Sequence, residues 1–96
     1  MITHIVLFKL NDKSKENIEK TANVLMDMKG KISELKHIEV GTDVTHSDRS
    51  YDLALVTKFD SIADLESYQI HPVHVKVAEY IKSVRASTVT VDFESS

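Results

Sequence analysis

The sequence predicts an α+β domain in which helices cover one face of a four-stranded antiparallel sheet. Four short segments alternate apolar and polar side chains with the period of two that is typical of strands. Two other regions repeat their apolar side chains every three to four residues, which is typical of amphipathic helices. Along the 96 residues these segments follow in the order strand, helix, strand, strand, helix, strand.

The first half of the chain contains a strand, a helix and a second strand. Residues 2–10 alternate across two faces that are both partly apolar, so we expect both faces of this strand to be covered. A helix follows the turn at Asp12 and Ser14, either of which can cap it, and Gly30 suits the left-handed stop behind it. Residues 37–44 then alternate again, as a second strand.

The second half contains a strand over residues 51–59, a helical region and a strand from about Ser87 to Phe93. Ser61 is a good N-cap, with Asp64 three residues later in a shortened capping box. Pro72 suits the first residue of a further helix, because its missing N–H is one of the free donors there. The helix after Pro72 carries the cleanest apolar stripe of the chain: Val73, Val77, Tyr80, Ile81 and Val84.

This order is that of the ferredoxin-like fold, β-α-β-β-α-β, and residues 1–96 form a single domain. In a monomer the sheet face away from the helices would be polar, but the first and third strands are partly apolar on both faces. A second sheet must therefore cover the open face. We predict a homodimer through the sheet faces, which is a dimeric α/β barrel.

Composition excludes several classes of function. The balance of 12 Lys+Arg against 15 Asp+Glu gives a net charge of −3, which argues against nucleic acid as a partner. The absence of cysteine excludes disulfides, thiol nucleophiles and cysteine-based zinc sites. No apolar run approaches ~20 residues and the first residues lack a signal-peptide pattern, so we expect no membrane partner and a cytoplasmic location.

The side chains most suited to chemistry surround the only proline. A helix that begins at Pro72 has His71 near its N-cap and His74 in its first turn, where the helix dipole disfavours imidazolium. A neutral His74 is suited to abstract a proton beside a carbonyl group. The hydroxyl of Tyr68 could hold the carbonyl or enolate oxygen, and His4 could orient His74 if its side of the strand meets the helices.

Each of these residues also has a purely structural interpretation. His71 could only cap the helix, Tyr68 could be a half-buried core aromatic, and His4 could be a histidine satisfied within the sheet. A metal site would need His71 and His74, at i and i+3, with Asp52 or His4 as a third ligand. That spacing alone is weak, so we expect neither a metal nor any other cofactor.

Four segments together resemble a known family. They are His4-Ile-Val-Leu-Phe-Lys9, the run Tyr51-Asp-Leu-Ala-Leu-Val, the element Tyr68-x-x-His71-Pro72-x-His74, and Val91-Asp-Phe93. Over nearly the whole chain the sequence resembles the stress-responsive α/β-barrel (Dabb) family, of which the Tyr-x-x-His-Pro-x-His element is the most specific part. The resemblance implies a dimeric α+β barrel and a role in the stress response.

The resemblance leaves two functions open, because the family includes proteins without known activity, stable plant assemblies and a cofactor-free polyketide cyclase. By resemblance, the cyclase's catalytic tyrosine and histidine fall on Tyr68 and His74, while His71 and His4 match histidines near its site. The chain departs from the cyclase at Asp52, where the cyclase has a histidine. The first hypothesis is therefore a small-molecule pocket between sheet and helices, lined by Tyr68, His74 and the binding residues His71 and His4, with cofactor-free acid–base chemistry on a carbonyl compound. The alternative is a non-catalytic, stress-related binding or structural homodimer.

Overall fold

A computed structural model, which describes residues 1–95, confirms the ferredoxin-like architecture. The sheet is antiparallel throughout, with strand order β2-β3-β1-β4. Among residues 1–95, no helix is long and apolar enough to cross a membrane. In chain order the elements are β1 (Ile2–Leu10), α1 (Lys15–Met26), β2 (His37–Thr42), β3 (Leu53–Phe59), α2 (Ile62–Ile70), α3 (Pro72–Val84) and β4 (Arg85–Glu94).

The helix ends follow from local chemistry. Ser14, and not Asp12, caps α1, because its hydroxyl accepts a hydrogen bond from the Asn17 N–H at 3.2 Å. Ser61 caps α2 in the same way and accepts from the Asp64 N–H at 3.1 Å. After α1, Gly30 takes a φ of +79°, which suits a residue without a side chain.

Two strands are shorter than the sequence predicts. β2 ends at Thr42 and β3 begins at Leu53, so each lacks two of its predicted residues beside the connecting loop. The Asp43 N–H still donates to the Asp52 carbonyl at 2.9 Å, which continues the pairing for one more step. Val44 is 84 % exposed, so no burial of its side chain holds the strand together beyond that point.

The last strand begins earlier than predicted, at Arg85 instead of about Ser87. Its pairing with β1 shifts register between Lys9 and Leu10, which brings Arg85 opposite Leu10. This irregularity lets β4 start directly behind α3, with no intervening loop.

The two faces of the sheet differ in their cover. The helices lie on the face that carries the buried side chains of β1 and β3, such as Phe8, Leu55 and Phe59. The opposite face is open and partly apolar, and Val89, Val91 and Phe93 of β4 are 46 %, 53 % and 44 % exposed there. We call this surface the open sheet face; its apolar members are Ile5, Leu7, Ala54, Val56, Val89, Val91 and Phe93.

Candidate functional site

A cavity of about 320 Å³ lies between the sheet and α3. Tyr68, His4 and His74 belong to its wall at the N-terminal end of α3, while Lys82 and Arg85 belong to its wall at the C-terminal end. The wall between these two ends is mostly apolar. It is formed by Val6, Phe8, Leu25, Met28, Leu55, Val77, Ala78 and Ile81, with Thr88 on β4.

Tyr68 is completely buried at the end of α2, with 0 % exposed surface. Its ring packs against the rings of His74 and Phe59, at centroid distances of 4.4 and 4.8 Å. Its hydroxyl donates to the sulfur of Met28 at 3.9 Å, and a thioether is a weak acceptor. Burial raises the pKa of Tyr68, so the hydroxyl keeps its proton and remains a donor at neutral pH.

His74 lies in the first turn of α3, and its Nδ1 is 3.0 Å from the main-chain oxygen of Gln69. Because a carbonyl oxygen only accepts, Nδ1 must carry the proton, and Nε2 of the neutral ring has the free electron pair. Burial is the main cause that lowers the pKa of His74, and the charges of His4 and His71 lower it further. The hydrogen bond to Gln69 raises this pKa but does not cancel the effect of burial. The ring is therefore neutral at pH 7 and able to accept a proton.

His4 is buried on the helix-covered face of β1, as the site hypothesis requires. Its Nδ1 is hydrogen-bonded to the Oδ1 of Asp92, directly opposite on β4. Its ring lies edge-on to Tyr68, with centroids 6.3 Å apart. Among residues 1–95 no hydrogen bond joins His4 to His74, and the Gln69 carbonyl is the group that orients His74.

His71 stands outside the cavity wall and caps α3. Its Nδ1 accepts a hydrogen bond from the Val73 N–H at 3.1 Å. The helical conformation is interrupted at His71, where α2 ends and before Pro72 begins α3. These contacts make His71 the cap of α3, and its side chain does not belong to the cavity wall, contrary to the expectation that it lines the pocket.

Asp52 is hydrogen-bonded to the backbone of β1, far from His4. Its carboxylate accepts a hydrogen bond from the Leu10 N–H at 2.8 Å, and Leu10 is six residues along β1 from His4, which is roughly 20 Å. Within residues 1–95 there is no group of three or more His, Asp or Glu side chains that could hold a metal ion. The side chains that the sequence offers as metal ligands are thus not brought together.

Four residues join the site without having been predicted. Gln69 contributes its carbonyl oxygen, which no side-chain pattern reveals. Asp92 faces His4 through a strand register that is not readable from the alternation of β4. Lys82 had a readable signal, since it follows His74 by eight residues and lies in the same row of α3, and Arg85 comes directly after the end of that helix.

These features define a ferredoxin-like α+β domain with a histidine–tyrosine cavity between its sheet and its helices. The family model described as "Stress responsive A/B Barrel Domain" (Dabb) matches residues 2–95. The chain belongs to this family.

Three similar proteins illustrate the range of the comparison. The stress-response A/B barrel domain-containing protein DABB1 of Arabidopsis thaliana is 29% identical over 98 residues, 97% of this chain and 46% of the relative. The chain thus spans about half of that relative's length. A dimeric ferredoxin-like protein of unknown function from Thermobifida fusca is 32% identical, with a TM-score of 0.87 over 98% of this chain and 90% of the other.

The third similar protein is an enzyme. The hydroxynitrile lyase of Passiflora edulis superposes with a TM-score of 0.83 over 96% of this chain and 90% of the other. At 18% identity it shows a shared fold alone. The same architecture thus occurs in an enzyme and in a dimeric protein of unknown function.

Proposed function

We propose that the cavity binds a small carbonyl compound and that His74 and Tyr68 carry out cofactor-free acid–base chemistry on it. One observation carries this proposal. A neutral imidazole with a free Nε2 lies against a protonated phenol in the wall of a mostly apolar cavity. A proton acceptor beside a hydrogen-bond donor is the pair of groups that enolisation of a carbonyl compound requires.

His74 is the base in this proposal. Its Nε2 takes the proton from the carbon next to the carbonyl group, and its Nδ1 keeps its bond to Gln69 throughout. The partly buried environment that lowers the pKa of His74 disfavours the resulting imidazolium, so the proton is readily returned to the substrate.

Tyr68 is the donor to the carbonyl oxygen. Its present acceptor is the Met28 sulfur, so a substrate oxygen would replace a weak partner with a stronger one. The hydroxyl is closed off from solvent, so the proposal requires the Met28 side chain to move aside before a substrate reaches it. Methionine suits that movement because it has three rotatable bonds and adapts to irregular space.

His4 has a binding role, and His71 supports the start of α3. The bond from His4 Nδ1 to Asp92 leaves Nε2 available for a hydrogen bond with a ligand hydroxyl. His71 acts through the cap on Val73, which fixes the first turn of α3, and its charge also contributes to the lowered pKa of His74.

The experiment is exchange of the α-protons of 2-octanone in D₂O, followed by NMR. The wild type is expected to accelerate exchange, and His74→Gln is expected to reduce the rate to that of buffer. His37→Gln, at an exposed position of β2, is the matched control and should keep the wild-type rate. Exchange at the wild-type rate in His74→Gln would exclude this histidine as the base. Saturable binding of 2-octanone without any exchange would favour the non-catalytic alternative.

The homodimer, which is compatible with both hypotheses, has its own observation, the apolar open sheet face. We propose that a second copy of the chain covers this face, which is supported by the dimeric state of the Thermobifida fusca relative. Val91→Asp introduces a charge into this contact and should yield monomers in sedimentation experiments. Val91→Thr keeps the branched shape and should stay dimeric. A wild type that sediments as a monomer at micromolar concentration would refute the dimer.

A further inference from the structure

We infer that the ligand of the cavity carries an anionic group, which Lys82 and Arg85 bind at the end away from His74. This inference rests on the proposed function, because it specifies the ligand class of the same cavity. Both cationic side chains belong to the cavity wall and both are exposed, so a charged ligand group can reach them without being buried.

The geometry of α3 separates the two ends. His74, Ala78 and Lys82 follow one another at intervals of four residues and all line the cavity, so they form one row along the helix. Eight residues of helix separate the first from the last, which is about 12 Å. Arg85 follows directly after the helix, and its Nη1 donates to Thr88 Oγ1 at 3.5 Å. A ligand that contacts both ends must be elongated.

The charges at this end lack carboxylate partners. Among residues 1–95, the ion pairs within 4.0 Å involve neither Lys82 nor Arg85. The protein as a whole has a net charge of −3, so this pair of cations is a local feature and not part of a generally basic surface.

The apolar wall between the two ends of the cavity limits the polarity of the middle part of the ligand. Val6, Phe8 and Leu55 offer apolar contacts and no hydrogen-bonding side-chain atoms. This excludes a polyhydroxylated body such as a sugar phosphate, whose hydroxyl groups would lose their hydrogen bonds to water. The ligand class is an oxo compound whose carbonyl group is joined by an aliphatic chain to a carboxylate or phosphate.

The test compares 7-oxooctanoate with its neutral amide, 7-oxooctanamide, by isothermal titration calorimetry. The two compounds differ in charge and hardly in shape. We expect the anion to bind the wild type about tenfold more tightly than the amide, because two partly exposed ion pairs contribute that much. Added salt should lower the affinity of the anion and leave that of the amide unchanged. The third ligand is 6-oxoheptyl phosphate, which keeps the methyl ketone and the five methylene groups and shows whether the site prefers a carboxylate or a phosphate head group.

The double variant Lys82→Gln/Arg85→Gln should remove the preference for the anion, so that the acid and the amide bind it with equal affinity. Lys15→Gln/Lys76→Gln removes two exposed charges outside the cavity wall and should keep the preference. Equal affinities of acid and amide in the wild type, or a preference that persists in the double variant at Lys82 and Arg85, would overturn this inference and leave the cavity proposal intact. Failure of both compounds to bind would overturn both proposals.

Discussion

The rings of Tyr68 and His74 lie with their centroids 4.4 Å apart, although a helix break separates the two residues in the chain. Burial acts on both and shifts their pKa values in opposite directions, upward for Tyr68 and downward for His74. Both groups are consequently neutral around pH 7, one as a donor and the other as an acceptor. Pairs of titratable groups separated in this way are typical of acid–base sites.

Tyr68→Phe should separate the chemistry of this residue from its packing. The ring and its contacts with Phe59 stay, and only the weak bond to Met28 is lost, so the free energy of unfolding should fall by less than about 1 kcal/mol. Affinity for a carbonyl ligand should fall about tenfold, as expected for one lost hydrogen bond. Urea denaturation and calorimetric titration measure the two effects. An unchanged affinity would contradict the donor role of the hydroxyl.

The control for that experiment is Tyr68→Ala. Removing the whole buried ring should cost about 3–5 kcal/mol, because a large cavity remains in the core. The contrast between the two variants shows whether a loss of binding reflects the hydroxyl or a damaged core.

The hydrogen bonds predict which ring nitrogen carries the proton in three histidines. His74 and His4 donate from Nδ1, to Gln69 and Asp92, whereas His71 accepts at Nδ1 and so carries its proton on Nε2 when neutral. Long-range ¹H–¹⁵N NMR at neutral pH distinguishes the two tautomers. Asp92→Asn should disturb the tautomer of His4 only. A His74 ring protonated at Nε2 would rule out its assignment as the base.

His71→Ala should destabilise the protein without affecting the cavity. Loss of the bond from the Val73 N–H to the cap costs about 1 kcal/mol, and His71→Asn should restore most of it because asparagine is a favoured cap. Chemical denaturation measures the stability, and titration with 7-oxooctanamide measures the site. If His71→Asn is as stable as the wild type yet no longer binds the amide, the imidazole itself takes part in binding.

Stability should decrease as the pH falls below neutrality because of His74. Its pKa in the folded protein is lowered from 6.5, so the unfolded chain binds the proton more tightly. As the pH drops through 6.5, the unfolded state is protonated first, and the free energy of unfolding falls until the folded pKa is passed. Urea midpoints between pH 8 and pH 5 should therefore fall less steeply in His74→Gln than in His37→Gln, in which His74 is retained.

The fold was readable from the sequence because its signals are local. Alternation over residues 2–10 gives β1 its full length, and Pro72 marks the start of α3. The end of β2 and the start of β3 could not be predicted from the sequence. Val44 is a residue type that favours strands, but its side chain is exposed and packs against no other element. The early start of β4 depends on a register shift opposite Lys9 and Leu10, which is a tertiary feature.

The site was only partly readable for a related reason. Tyr68 and His74 are near each other in the sequence, so their proximity followed from the helix pattern. Their partners were not predictable, since His4 meets Asp92 only through strand register, and His74 is oriented by a backbone atom. The lowered pKa of His74 was expected from the helix terminus, but burial is its main cause.

The backbone partner of His74 also affects how the site tolerates mutation. The oxygen of Gln69 belongs to the main chain, so it is present whatever side chain occupies that position. The orientation of His74 should therefore survive substitutions at position 69 that leave the last turn of α2 in place. His4 is more vulnerable, because a single codon change at Asp92 removes its partner. We thus expect random substitutions to remove the hydrogen-bond partner of His4 more easily than that of His74.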